Sequence, residues 1–97
     1  MFEKSKGRYL TRGVSATVPL VLQIYLWQCV DNLSDPKDYL QVFDLKDLNG
    51  LQCITHRTEE PEYHMEHFLP AIAEPVTAKV YIIDDGDHCT MLLAEEY

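Results

Sequence analysis

The chain has no run of 18 or more apolar residues. Its most apolar stretch, Val14 to Val30, is interrupted by Ser15, Thr17, Gln23 and Gln28, a pattern unsuited to spanning hydrocarbon. The basic residues Lys4, Lys6, Arg8 and Arg12 precede that stretch as in a signal peptide, but no small-x-small cleavage motif follows. The expectation is a cytoplasmic protein without membrane attachment. Only 3 cysteines are present, an odd number without CxxC spacing, which excludes a disulfide framework and fits buried thiols in a reducing compartment. Four glycines include no phosphate-cradling motif, and no serine stands in a nucleophile-elbow context.

Positive charge is scarce where it matters. Four of the eight Lys and Arg residues lie within residues 1–12, leaving Lys37, Lys46, Arg57 and Lys79 against fifteen acids over residues 13–97. That body is strongly negative and repels phosphate backbones, so direct nucleic-acid binding is not expected. A protein with a basic surface is the electrostatically natural partner.

What is present is a legible order of elements in one domain, residues 1–97, with 46% hydrophobic residues. Residues 8–14, RYLTRGV, read as a short extended strand. Pro19 suits the first turn of a long helix, PLVLQIYLWQCVDNL, whose core face would carry Leu22, Tyr25, Leu26, Cys29, Val30 and Leu33. Gln23, Gln28, Asp31 and Asn32 fall on the polar side. Leu20, Ile24 and Trp27 form a second apolar stripe there. Either the N-terminal segment with Phe2, Tyr9 and Leu10 covers that stripe, or it is an interface surface, for a homodimer or another partner.

Two β-hairpins follow. Residues 39–46 and 51–57 flank Asp47-Leu48-Asn49-Gly50, a loop with a bulge or a four-residue turn. Residues 77–83 and 88–94 flank Asp84-Asp85-Gly86-Asp87. Pairing Asp84 with Asp87 sets Ile82 opposite Cys89 and Val80 opposite Met91 on the core face. Residues 58–76 contain Pro61, Pro70 and Pro75 and read as short broken pieces. The expected fold is α+β: an antiparallel sheet of two hairpins plus the short N-terminal strand, with one long helix on one face.

Chemistry has one candidate, EYHMEHFLP at residues 62–70. The histidines are three apart, which excludes the HExxH and HxxEH patterns of zinc proteases. A helix opened by Pro61 would bring Glu60, His64 and His67 to one face as metal ligands, whereas an extended segment would disperse them. His88 and Cys89 adjoin and therefore point to opposite faces of a strand, which excludes a dyad; Cys53 and His56 point apart likewise. No catalytic residue set emerges, and no cofactor is expected.

YLTRGV, DYLQVF, EEPEY and the ending TAKVYIIDDGDHCTMLLAEEY resemble a small-protein family of Gram-positive bacteria, domain of unknown function 960, nearly end to end. The resemblance implies a small cytosolic bacterial protein and carries over no activity, cofactor or catalytic residue. The functional expectation is a non-enzymatic protein-interaction or regulatory module. Its candidate contacts are Leu20, Ile24 and Trp27 with the acids Asp84, Asp85, Asp87, Glu95 and Glu96. A sharper form is a DNA mimic that occupies the basic groove of a nucleic-acid-binding protein. The alternative is a metal-binding protein using Glu60, His64 and His67.

Overall fold

The computed structural model describes residue 2, residues 6–70 and residues 74–97. Six strands form one mixed sheet: β1 (Gly7–Leu10), β2 (Leu40–Leu48), β3 (Leu51–Glu59), β4 (Glu62–Pro70), β5 (Ala78–Asp84) and β6 (His88–Leu93). Two helices, α1 (Arg12–Thr17) and α2 (Leu20–Asp31), separate β1 from β2, and a 3-10 turn, η1 (Ala94–Glu96), closes the chain. The spatial order is β1-β6-β5-β2-β3-β4. Neighbouring strands run antiparallel except β1, which lies parallel to β6 with Gly7 opposite His88.

The fold remains α+β, but the expected antiparallel sheet with one long helix is corrected in three places. First, TRGV leaves β1 and enters α1, because the Thr11 hydroxyl accepts a hydrogen bond from Val14 N–H and caps a new helix. Two helices, six and twelve residues long, stand where one was expected. Pro19 is the residue before α2, with its carbonyl accepting from Gln23 N–H. Secondly, the sheet is mixed: β1 pairs in parallel with β6, and both helices carry the chain from β1 across to β2, three places along the sheet. Thirdly, residues 62–70 are a full strand. Pro61 occupies the turn between β3 and β4, and Pro70 sits at the end of an edge strand, two places where a missing N–H costs little.

Both hairpins shift from their expected turns. β2 and β3 close on Asn49-Gly50 alone, with φ of 52° and 90°, the positive values a tight two-residue turn demands. At the second hairpin Asp84 pairs with Cys89 and Ile82 with Met91, two residues away from the expected register. A two-residue slip keeps each side chain on its face, so the core side is unchanged.

That side is covered by the helices. Val14, Val18, Leu22, Leu26 and Val30 pack onto Phe43, Ile54, Val80, Ile82, Cys89 and Met91. Gln23, expected among the polar residues, is buried instead, and its amide donates to the Val18 carbonyl at 2.8 Å. The second stripe is split. Trp27 is half-buried with the Arg8 guanidinium 4.7 Å above its ring, and Arg8 is held there by an ion pair with Asp31. Leu20 and Ile24 remain 68% and 49% exposed, joined by Val21. Trp27→Ala is therefore expected to cost about 2 kcal/mol, below the range of a fully buried tryptophan. Urea denaturation reads this directly, and a loss as small as that of a surface substitution would refute the covering by Arg8.

Candidate functional site

Register and alternation bring four polar side chains together between α2 and the outer strands. Tyr25 and Cys29 are one helical turn apart on α2. On β3, His56 lies opposite Met65 of β4, and Ile54 lies opposite His67, so both histidines project from the helix-covered face. Cys29 Sγ and a ring nitrogen from each histidine lie within 4.8 Å of one another. Cys29 Sγ is 3.9 Å from His67 Nε2, and the Tyr25 hydroxyl is 2.9 Å from His67 Nδ1.

His56 is fully buried, stacked on Phe43 with centroids 4.3 Å apart and touched at its edge by Tyr63. Its Nε2 lies 2.6 Å from Gln41 Oε1, while its Nδ1 is buried and has no partner among the described residues. Burial first, and the neighbouring His67 second, push its pKa down to about 4, so the ring is neutral at neutral pH. Burial also pushes the Cys29 thiol up to about 11. Beside this group opens a cavity of about 120 Å³ between Gln28, Asn32, Tyr63 and His67. The grouping offers one thiol and two imidazoles beside that cavity.

The ligand set expected at EYHMEHFLP does not assemble. β4 is extended, so His64 is exposed on the opposite face beside Arg57 while His67 faces the helix. Glu60 lies in the β3–β4 turn, where its N–H donates to Asp38 Oδ2 at 2.9 Å. Of the three, only His67 joins the cluster. In the sequence Cys29 reads as a core residue, and His56 as the partner of Cys53 in a dyad that strand geometry rules out. The available signal was His56 in step with Ile54 along β3, an imidazole at a core-facing position.

The acidic candidates divide between the two ends of the sheet. Asp85 and Asp87 are exposed in the β5–β6 loop, at the end where β2 begins and β3 ends. Glu95 is exposed at the other end, and Glu96 there caps the chain, accepting from Leu93 N–H and the Thr11 hydroxyl. Asp84 is buried, taking hydrogen bonds from Phe2 N–H and Lys6 Nζ, and offers no surface. The Asp85 end also gathers Asp38, Glu59, Glu60 and Glu62, because the α2–β2 loop and the β3–β4 turn meet there. Asp38 accepts from the N–H groups of Leu40, Glu59 and Glu60, which fixes that junction. A shallow cavity of about 110 Å³ lies beside it, between Tyr39, Leu40, Val42, Arg57 and Glu59.

No described helix is long and apolar enough to cross a membrane. No curated protein matches the chain. Among solved structures, the crystal structure of a protein of unknown function from Enterococcus faecalis is similar: 28% identity, a TM-score of 0.83, and coverage of 99% of this chain and 94% of that one. The family described as "Staphylococcal protein of unknown function (DUF960)" matches residues 7–96, so that nearly the whole sheet and both helices fall within the match. The chain belongs to that family.

Proposed function

We propose that this protein is a non-enzymatic protein-binding module whose acidic sheet end receives a basic surface of a protein partner. The observation that supports this reading is the convergence of three separate chain segments, carrying Asp38, Glu59, Glu60, Glu62, Asp85 and Asp87, at one end of the sheet. Their charges add in one place and raise the local attraction for Lys and Arg side chains. The adjoining cavity sets exposed Tyr39 beside Leu40 and Val42, an apolar rest for the stem of a long basic side chain. The candidate acids Glu95 and Glu96 lie at the far end of the sheet, which favours a compact basic patch over a long phosphate-binding groove as the partner surface.

The variant combining Glu59→Gln, Glu60→Gln, Glu62→Gln and Asp87→Asn tests the reading without touching the core. Pull-downs from a host lysate are expected to retain a basic protein on the wild type and lose it on the variant. Elution is expected as salt rises from about 0.1 M toward about 1 M, where the screening length falls from about 10 Å to about 3 Å. Capture that survives both the substitutions and the salt would overturn the proposal.

A further inference from the structure

We propose that Cys29 Sγ, His56 Nδ1 and His67 Nε2 are the protein ligands of a zinc-type metal site, with the fourth position open to the cavity beside α2. This inference is independent of the protein-binding reading and goes beyond it. Its strongest support is the hydrogen-bond arrangement around His56. The Gln41 amide nitrogen donates to the Asp38 carbonyl at 2.8 Å, which orients the side chain so that Oε1 faces His56. His56 Nε2 must then carry the proton and donate to that oxygen. Nδ1 is left as a bare lone pair, in a residue with no exposure, without a partner among the described residues. A buried acceptor of this kind wants a donor or a metal ion.

The same pattern recurs at His67. Turning the Nε2 lone pair toward a metal places the proton on Nδ1, where the Tyr25 oxygen lies 2.9 Å away to accept it. Both imidazoles are thus oriented by a polar group on the ring nitrogen that does not ligate, as metal-binding histidines usually are. Tetrahedral zinc, with Zn–S near 2.3 Å and Zn–N near 2.05 Å, sets sulfur and nitrogen ligands roughly 3.6 Å apart. Cys29 Sγ and His67 Nε2 are 3.9 Å apart, and a ring nitrogen of His56 falls within 4.8 Å of the ligand atoms of Cys29 and His67, so a small inward movement completes the site. One thiolate and two imidazoles suit a borderline ion, and calcium or magnesium would require oxygens.

Protons balance simply. Both imidazoles are neutral when they bind, and Cys29 exchanges its S–H proton for the metal, releasing one proton to solvent. Because binding releases that proton, metal affinity is expected to rise with pH. The bound ion would tie α2 to the outer strands β3 and β4.

Cobalt(II) titration of the full-length protein under reducing conditions tests the site. One equivalent is expected to give a thiolate-to-cobalt charge-transfer band with tetrahedral visible absorption, and zinc is expected to displace it. Cys29→Ser should abolish the charge-transfer band, and His67→Gln, at a half-exposed position, should weaken binding more than about tenfold. His64→Gln, on the opposite face, serves as the control and should change neither. Absence of the band in the wild type would overturn the proposal, as would its persistence in Cys29→Ser or its loss in His64→Gln. If Cys29→Ser fails to fold by circular dichroism, unchanged affinity in His67→Gln refutes the site on its own.

Discussion

Asp84→Ala is expected to cost about 3 kcal/mol of folding stability, although aspartate at a hairpin end usually reads as a surface residue. Its carboxylate accepts from Phe2 N–H at 2.6 Å, from Gly86 N–H at 2.8 Å and from Lys6 Nζ at 3.0 Å, and its side chain is 2% exposed. Removing a buried partner of such a group costs about 3–5 kcal/mol, and the 20% exposure of Lys6 places the expectation at the lower end. The loss also releases Phe2, which is 2% exposed in the core and tied to the sheet by this bond.

The same residue makes a pH prediction. Burial pushes its carboxyl upward, but the N–H donors of Phe2 and Gly86 and the Lys6 ammonium together outweigh burial and hold it below the ordinary aspartate range. A carboxyl depressed in the folded state contributes stability in full above its unfolded pKa of about 3.9, and the contribution fades as pH falls through the folded value. The stability difference between wild type and Asp84→Asn should therefore be constant from pH 7 to about 5 and shrink below about 4. Urea denaturation across that range reads it. A difference unchanged down to pH 2 would show that shape, and not charge, is what Asp84 supplies.

Phe43→Ala is expected to cost about 3–5 kcal/mol, the range for deleting a fully buried aromatic ring. Phe43 has no exposure, pairs across the sheet with Val80 on one side and His56 on the other, and stacks on the His56 ring. Its deletion opens a space beside His56 that water can enter. Since burial is the main reason that His56 titrates near 4, its pKa should then rise toward the ordinary 6.5. Imidazole proton shifts followed by NMR measure that rise, and Phe43→Leu, which refills most of the volume, should cost less and shift His56 less. A cost under about 1 kcal/mol would show that Phe43 is not a central packing residue.

These residues also show where local sequence stops being informative. Phe43, Ile82 and Cys89 could be placed on the core side by alternation alone, because neighbouring side chains on a strand leave in opposite directions. Asp84 could not be recognised as buried, since its partners are the second and sixth residues of the chain. In EYHMEHFLP the half-buried Tyr63, His67 and Leu69 leave from one face, as in a strand, but three prolines in residues 58–76 read as breaks in the sequence. Proline is a strong breaker only within a strand interior, and here it falls at a turn and at a strand end.

The sequence by itself determined the α+β class, the two hairpins, a helix after Pro19, the core side of the second hairpin and the uneven charge. All of these follow from periodicity or composition, which act over a few residues. Only the tertiary structure decided the parallel β1–β6 pairing, the sixth strand, the two-residue shift at Asp84 and the meeting of Cys29 with His56 and His67. The physical reason is the period of a strand. A slip of two residues, or a different partner strand, leaves every side chain on the same face, so local pattern selects the face but is blind to the neighbour. Which thiol meets which imidazole is therefore settled only when α2, β3 and β4 close on a common core.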